Sequence, residues 1–262
     1  MRYLDVPAGG GRVAGTLVLI HGFPLNTDMW QPQLEMAAHG WRVVVPALRG
    51  FGPGPDAKTE RPATSVDDYA GDIIDLLDSL HVKDAVICGL SMGGYIAFAM
   101  YRHAATYFRG MVLADTRSQA DTPETVAGRK AIQQLVREKG QGAVADALLP
   151  KLVCDSTRSS KPAVVENLRT QITSSSVEAI VGALDALMTR PDSTPMLPTL
   201  RIPILIVVGA QDAITPPPLS EQMHHDIPGS QLVVIPDAGH MSNMEQPTAF
   251  NDAFGSFLDK RV

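Results

Sequence analysis

The sequence has few cysteines and no long apolar stretch. Its two cysteines, Cys88 and Cys154, are too few and too far apart for a disulfide framework, and no cluster of histidines or cysteines has the spacing of a zinc site. No segment approaches the roughly 18 consecutive apolar residues of a membrane span. The first residues also lack the apolar core of a secretion signal. We therefore expect no metal, no membrane partner and a cytoplasmic location.

The sequence also lacks an excess of basic residues. Its 22 lysines and arginines are outnumbered by 28 aspartates and glutamates, which gives a formal net charge of -6. The charges are spread along the chain without a long run of one sign, so no basic stripe indicates nucleic-acid binding. The 262 residues, 45% hydrophobic and 19% charged, are typical of one ordinary globular domain, with room for an insertion.

Short β-branched apolar segments alternate with segments of helical periodicity along most of the chain. Apolar strands that alternate with helices are typical of a buried parallel sheet in the α/β class. One helix is predicted over residues 67–80, with Thr64 or Ser65 placed to cap its start. The predicted strands are 16–20, 42–45, 85–88, 111–114, 204–208 and 232–235. Further helices are expected near Met29, Tyr95, Ser220 and Thr248.

The alternation breaks between about residues 116 and 198, where four helical patterns follow one another with no strand signal. We expect a helical cap over residues 116–196, inserted into a core formed by residues 1–115 and 197–262. A cap at this point would lie across the carboxyl edge of the sheet, where open α/β sheets bind their ligands. The predicted cap helices are 124–139, 143–153, 163–173 and 177–188.

Residues 89–94, Gly-Leu-Ser-Met-Gly-Gly, stand between a predicted strand and a predicted helix. A G-x-S-x-G sequence in this context is typical of a nucleophile elbow, a turn too tight for side chains at the glycine positions. Such a turn holds the serine in a strained conformation with its hydroxyl exposed. We expect Ser91 to be a nucleophile, and the alternative is an ordinary loop that opens a helix.

A serine nucleophile needs a base, and the base needs a carboxylate to orient it. Of the seven histidines, His240 follows the strand 232–235 in a loop and comes after the serine, as this type of site requires, whereas His21 is expected to be structural. Asp212 is favoured as the orienting acid, because its loop follows the strand immediately before the histidine's strand. Asp115, after the strand 111–114, stays an alternative acid or a strand-end carboxylate.

Attack by a serine on a carbonyl carbon would also need N–H donors for the oxyanion that forms and a pocket for the substrate. We expect the donors to be the backbone N–H groups of Met92 and Phe23, since Pro24 has no N–H. Residues 116–195 contain no Phe, Tyr or Trp, which favours aliphatic acyl chains on the cap side. The expected pocket residues are Pro24, Trp30, Leu135, Leu148, Leu187, Met188 and Met241, although the cap residues among them could simply pack helices together.

Five motifs, taken in order, resemble the α/β-hydrolase superfamily, in the branch of bacterial carboxylesterases, 3-oxoadipate enol-lactonases and cofactor-free perhydrolases. The resemblance spans nearly the whole chain and is weakest in the cap. It implies an eight-stranded, mostly parallel sheet, a helical cap after the sixth strand, and a triad of Ser91, Asp212 and His240. Because only about a dozen residues precede the strand at 16, the usual N-terminal hairpin must be short or incomplete. The motifs are His-Gly-Phe-Pro at 21–24, Arg-Gly-Phe-Gly at 49–52, the elbow at 89–94, Gly-Ala-Gln-Asp at 209–212 and Gly-His at 239–240.

These features predict a serine hydrolase that cleaves esters or lactones of small, mainly aliphatic molecules through an acyl-enzyme, without a metal or organic cofactor. The alternatives are a lactone-specific hydrolase acting on enol-lactones or acyl-homoserine lactones, a cofactor-free perhydrolase, and a non-enzymatic receptor for a small ligand. Arg117 could receive a substrate carboxylate or be an exposed loop residue. Rapid turnover would distinguish an enzyme from a receptor.

Overall fold

Seven strands form one sheet in the computed structural model of the chain, which describes residues 1–11, 13–54 and 60–262. The strands are β1 Tyr3–Val6, β2 Gly15–Ile20, β3 Trp41–Pro46, β4 Ala85–Leu90, β5 Phe108–Ala114, β6 Ile204–Gly209 and β7 Gln231–Ile235. Their order across the sheet is β1-β3-β2-β4-β5-β6-β7, and every pair is parallel except β1 with β3. All six predicted strands are therefore present. Every residue of β4 and of β6 is buried, which explains why these strands are continuously apolar.

The N-terminal strand was not indicated by the sequence pattern. β1 has four residues, pairs with β3 only, and forms one edge of the sheet. The described sheet thus has seven strands, whereas the resemblance implied eight. The difference lies where the N-terminal hairpin was expected to be short or incomplete, since the single strand β1 takes its place.

The described residues also form nine α-helices and three 3-10 helices. The α-helices are α1 Val66–Ser79, α2 Met92–Ala104, α3 Pro123–Leu152, α4 Asp155–Ser160, α5 Pro162–Ser174, α6 Val177–Thr189, α7 Pro217–Asp226, α8 Ser242–Glu245 and α9 Pro247–Arg261. The 3-10 helices are Thr27–His39, Ala105–Tyr107 and Thr194–Thr199, so the helix expected near Met29 is a 3-10 helix. Of the two candidate caps of α1, Ser65 is the cap: its hydroxyl accepts the Asp68 N–H, and the Asp68 carboxylate accepts the Ser65 N–H.

The helices α3 to α6 lie between β5 and β6, where the insertion over residues 116–196 was predicted. The strand before it is the fifth of the seven described and not the sixth, because the described sheet has one N-terminal strand fewer than the implied eight. Two of the four predicted helices form the two halves of α3, which are joined through Gly140 with a non-helical φ of 75°. The other two correspond to α5 and α6, and the short α4 was not foreseen. The division into a core and a cap at residues 116 and 196 stays a prediction. Within the described ranges, no helix has both the length and the apolar character that crossing a bilayer requires.

The sheet topology brings two loops together at one carboxyl edge. The chain goes from β2 outward to β3 and then returns to β4 on the other side of β2. A crevice forms at such a switch point, because the loops after the two neighbouring strands diverge. Here those loops contain Phe23, after β2, and Ser91, after β4.

Candidate active site

Ser91 lies in the turn between β4 and α2. Its φ of 53° and ψ of -112° place it in a left-handed conformation that is strained for a residue with a side chain. The turn is held from β5, since the Ser91 N–H donates to the Ala114 carbonyl over 2.9 Å and the Thr116 hydroxyl donates to the Ser91 carbonyl over 2.8 Å. The strand, tight turn and helix predicted for residues 89–94 are all present.

Two glycines make this turn possible. A Cβ atom on Gly89 would lie 2.2 Å from the Gly93 carbonyl oxygen, and one on Gly93 would lie 2.2 Å from the Ile20 carbonyl oxygen. Both obstacles are backbone atoms, so no side-chain movement could relieve the clash. The G-x-S-x-G spacing is therefore required by the close packing of β2, β4 and α2.

His240, in the loop after β7, is bound to Asp212, in the loop after β6. The two side chains are buried, and His240 Nδ1 lies 2.8 Å from Asp212 Oδ2. The Thr215 hydroxyl donates to the same oxygen over 2.7 Å, while the N–H groups of Ile214 and Thr215 donate to Oδ1 over 2.8 and 2.9 Å. This network fixes the ring with Nδ1 on the carboxylate, which leaves Nε2 as the nitrogen available for a proton transfer.

Burial and charge act in opposite directions on this pair. Burial alone would raise the pKa of Asp212, but the charge and hydrogen bond of His240 hold that pKa below its ordinary value. Burial alone would lower the pKa of His240, but the charge and hydrogen bond of Asp212 raise it. The arrangement therefore stabilises a protonated imidazole beside an ionised carboxylate.

Asp115, the other candidate acid, lies elsewhere in the network. It is fully buried after β5, accepts the Gly209 N–H over 2.8 Å and accepts the Ser242 hydroxyl. Burial and the neighbouring charge of Asp212 raise the pKa of Asp115 well above its ordinary value. The structure thus brings Asp212 to the imidazole, whereas Asp115 joins β5, β6 and the segment after His240.

Ser91 and His240 line the same cavity of about 350 Å³ between the core and the inserted helices. The described hydrogen bonds do not include one between Ser91 Oγ and His240, and such bonds are often long in unliganded sites. The remaining lining residues are Phe23, Tyr95, Thr125, Gly128, Arg129, Ile132, Ala147, Leu148, Lys151, Leu152, Leu184, Leu187 and Ile214.

The two expected oxyanion donors are close to Ser91. Phe23 lines the cavity, and Met92 is the first residue of α2, where the helix dipole favours negative charge. In the described residues, neither N–H donates to a backbone or side-chain acceptor. Both groups are therefore free to donate to an oxygen held beside Ser91.

Most of the residues predicted to form the substrate pocket do not line the cavity. Of the seven residues, Leu148 and Leu187 line it. Trp30 and Met241 are instead fully buried in the core, where their whole apolar surface is removed from water. The residues that do not line the cavity are Pro24 and Trp30, both buried, Met241, fully buried, and Leu135 and Met188, partly buried among the inserted helices.

Two cationic residues of the cavity were not predicted. Arg129 and Lys151 line it from α3, whereas Arg117 is not among the lining residues and donates to Asp121 over 2.8 Å. Arg129 also binds Asp121, and Arg190 donates to the same carboxylate over 2.7 Å. Residues 125, 128, 129 and 132 recur at helical spacing on one face of α3, which is the signal that could have identified Arg129.

His21 has the structural role expected from the sequence. It is fully buried, its Nε2 accepts the Leu48 N–H over 3.1 Å, and its Nδ1 donates to the Gly22 carbonyl over 3.1 Å. Burial lowers the pKa of His21 to about 4, so the ring is neutral at pH 7. It fixes the loop that carries Phe23. Over the described ranges, no three His, Cys, Asp or Glu side chains cluster so that they could hold a metal ion.

Comparisons with known proteins match this chain to one family of hydrolases. A family profile described as "Alpha/beta hydrolase family" matches residues 17–253. The 3-oxoadipate enol-lactonase 2 of Acinetobacter baylyi is 30% identical over 244 residues, 93% of this chain and 88% of that protein. The structure of a thermophilic esterase from Thermogutta terrifontis is 39% identical, covers 99% of this chain and 93% of its own, and has a TM-score of 0.90. An enol-lactonase from Burkholderia xenovorans is 26% identical, covers 99% and 96%, and has a TM-score of 0.88.

Proposed function

Since the chain belongs to the alpha/beta hydrolase family, in its esterase and lactonase branch, we propose that it hydrolyses small carboxylic esters with Ser91 as nucleophile. One observation carries the proposal: the strained Ser91 opens into the same cavity as His240, and Asp212 holds the Nδ1 side of that imidazole. An exposed hydroxyl, a base and an orienting carboxylate are the parts that serine catalysis requires.

The first step forms an acyl-enzyme. Ser91 Oγ attacks the ester carbonyl carbon while His240 Nε2 accepts the hydroxyl proton, and the carbonyl oxygen becomes an oxyanion. The N–H groups of Phe23 and Met92 are the proposed donors to that oxygen. When the intermediate collapses, the bond to the alcohol oxygen breaks and His240 gives its proton to the leaving alcohol.

The second step releases the acid. A water molecule attacks the acyl carbon as His240 Nε2 accepts a proton from it, and the bond to Ser91 Oγ then breaks as the serine recovers a proton from His240. Asp212 keeps the ring oriented and stabilises its charged form in both steps. The raised pKa of His240 is consistent with this role, because Asp212 opposes the effect of burial.

The cavity supports a small substrate with an aliphatic acyl part. Its volume is about 350 Å³, and the insertion contributes aliphatic side chains such as Ile132, Leu148 and Leu187. The aromatic lining residues, Phe23 and Tyr95, both come from the core. Short to medium aliphatic esters are therefore the first substrates to test.

A lactone that carries a carboxylate is the second candidate substrate. Arg129 and Lys151 line the cavity, and the described lining residues include no Asp or Glu, so the cavity favours an anionic group. The Acinetobacter relative, named as an enol-lactonase, supports the same candidate. Both candidates use the same acyl-transfer steps, since a lactone is a cyclic ester.

A pH-indicator assay of acid release tests this function. Wild type and Ser91→Ala would be compared on matched straight-chain esters and lactones, including enol-lactones and acyl-homoserine lactones. We expect the wild type to turn over at least one class rapidly and the variant to lose roughly 10⁴-fold or more. A higher kcat/KM on lactones would favour the second candidate. Wild-type activity in Ser91→Ala would overturn the proposal, and binding without turnover would favour a receptor.

A further inference from the structure

Glu245, at the end of α8, has a fully buried carboxylate that binds both neighbours of His240. Its Oε1 accepts the N–H of Gly239 over 2.8 Å and the N–H of Met241 over 3.2 Å. These two N–H groups immediately precede and follow His240 in the chain. One oxygen atom therefore holds the backbone on both sides of the imidazole.

The second oxygen of Glu245 reaches the inserted helices. Its Oε2 accepts the Cys154 N–H over 2.9 Å, at the start of α4, and the Met241 N–H also donates to the Leu152 carbonyl over 3.0 Å. A Cβ atom on Gly239 would lie 2.7 Å from the Cys154 nitrogen, so the two segments are in close contact. Leu152, at the end of α3, itself lines the cavity. One carboxylate thus joins the His240 loop to the cavity wall.

We propose that Glu245 is a positioning residue for His240: its carboxylate fixes the imidazole relative to Ser91 and to the substrate-binding wall that α3 provides. The inference rests on the proposed function of Ser91 and His240. Three backbone donors with good geometry over-determine the carboxylate's position, and displacing the base by about 1 Å can cost roughly 100-fold in rate. A buried carboxylate destabilises the folded chain unless it is hydrogen-bonded, and each buried N–H group that loses its acceptor also costs free energy. Removing the carboxylate would therefore leave its three N–H partners without that acceptor.

The charge of Glu245 acts on the same imidazole. The charged and titratable groups around His240 are Asp212 after β6, Asp115 after β5 and Glu245 on α8, with Arg129 and Lys151 of α3 lining the same cavity. On the other side of Glu245, the Lys161 ammonium donates to its backbone carbonyl, not to its carboxylate. Burial works to lower the pKa of His240, whereas Asp212, Asp115 and Glu245 raise it. Glu245 therefore favours the imidazolium that forms during catalysis.

Two substitutions separate position from charge. Glu245→Gln removes the charge and replaces one acceptor oxygen with an NH₂ group, so at least one of the three N–H donors loses its partner. Glu245→Asp keeps the charge but shortens the side chain by one methylene. We expect both variants to lower kcat, by up to roughly 100-fold, with a smaller change in KM. We expect only Glu245→Gln to move the acid limb of the kcat/KM profile to lower pH.

Two control variants show what loss of charge or of stability does elsewhere. Glu221→Gln removes an exposed carboxylate on α7. Asn251→Ala removes a buried amide that donates to the Pro32 carbonyl and to Glu35 and accepts from Gln33, none of which lines the cavity. Both controls should keep the wild-type acid limb, and Asn251→Ala should lower Tm without a selective loss of kcat.

A titration that needs no turnover gives an independent readout. The pKa of His240 would be measured by NMR on histidine labelled with ¹³C at Cε1, in Ser91→Ala and in Ser91→Ala with Glu245→Gln. We expect a lower His240 pKa when Glu245 is Gln. An unchanged His240 pKa, together with wild-type kcat in Glu245→Gln, would overturn the positioning role while leaving Ser91 as nucleophile. Wild-type activity in Ser91→Ala would instead overturn the proposed function, so the two failures are distinguishable.

Discussion

The hydroxyl of Ser242, two residues beyond His240 in the chain, donates a hydrogen bond to the carboxylate of Asp115. Asp115 also accepts the Gly209 N–H at the end of β6, the strand that leads to Asp212. The two aspartates therefore have different structural roles. Asp212 contacts the imidazole ring, whereas Asp115 joins the segment after His240 to the ends of β5 and β6. We therefore expect substitutions of Asp212 and of Asp115 to have different effects on kcat.

Asparagine substitutions distinguish the two aspartates. Asp212→Asn should lower kcat roughly 10⁴-fold, because the amide NH₂ cannot accept the Nδ1 proton and the ring adopts the wrong tautomer. Asp115→Asn should lower kcat less than about 10-fold, since the described hydrogen bonds of Asp115 do not include one to the imidazole and the amide oxygen of asparagine can still accept the Gly209 N–H. Steady-state kinetics at pH 8 measures both. An equal loss in the two variants would mean that Asp115 takes a direct part in orienting the base.

The pH profile should show an acid limb set by His240. Burial works to lower the pKa of His240, but Asp212, Asp115 and Glu245 together raise that pKa above the ordinary 6.5. Only the neutral imidazole accepts the Ser91 proton, so kcat/KM should rise with pH and reach half its plateau above pH 6.5. The profile would be measured from pH 5 to 9 on an uncharged ester. A midpoint below that value would contradict the assigned base.

Arg129 and Lys151 should matter only for anionic substrates. Arg129→Gln and, separately, Lys151→Gln should each lower kcat/KM for a carboxylate-bearing ester about 10- to 100-fold, as expected for loss of a charge-assisted hydrogen bond. Arg129 also binds Asp121, so Lys151, which is exposed, provides the variant least able to disturb the fold.

The control for these variants is the neutral ester of the same shape. Its kcat/KM should change by less than about threefold, because the lost interaction involves only the substrate charge. Equal losses on the neutral and anionic esters would show that the substitutions disturb the cavity itself, and no carboxylate subsite would then be supported.

His21 should make the folded state sensitive to acid. Burial lowers the pKa of His21 to about 4, below the ordinary 6.5. Between pH 6.5 and about 4, His21 is therefore protonated in the unfolded chain but neutral in the folded chain. The stability that neutral His21 contributes is therefore complete above pH 6.5 and is lost as the pH falls to about 4. The loss amounts to roughly 3 kcal/mol.

Urea unfolding of the wild type and His21→Asn at pH 7.5, 6 and 5 checks this prediction. The variant should be less stable at neutral pH, because two buried hydrogen bonds are altered. Its free energy of unfolding should fall less steeply with acid than that of the wild type. Parallel pH dependences in the two proteins would show that folding leaves the pKa of His21 unchanged, which would contradict the prediction.

The strands and most helices could be predicted because their residues follow simple physical patterns. Strands buried on both faces must be continuously apolar, as β4 and β6 are, and a helix that begins in water needs a cap such as Ser65. The four residues of β1 escaped prediction because an edge strand this short carries little pattern. The elbow was predictable because backbone crowding at Gly89 and Gly93 permits no other residue.

The cavity and the support of His240 were harder to predict. Trp30 and Met241 are apolar and near the site in sequence, but whether such a side chain faces a cavity or the core depends on packing that periodicity does not encode. Arg129 recurs with residues 125, 128 and 132 on one face of α3, but this spacing alone does not tell whether that face meets a cavity or solvent. Glu245 has no signal at all, because its three partners are backbone N–H groups that only the folded chain brings together.

The helix α3 supplies eight of the fifteen residues that line the described cavity, in two groups on either side of its bend at Gly140. Ser91, His240 and Asp212 all lie in loops anchored on the sheet. In evolutionary terms, substitutions within one contiguous stretch of 30 residues can therefore reshape more than half of the cavity lining while the proposed catalytic groups stay unchanged. Two constraints on such a change come from its neighbours: the junction at Leu152 and Cys154 must still meet the loop of His240, and Gln133 binds the Val181 carbonyl and Asp185 of α6.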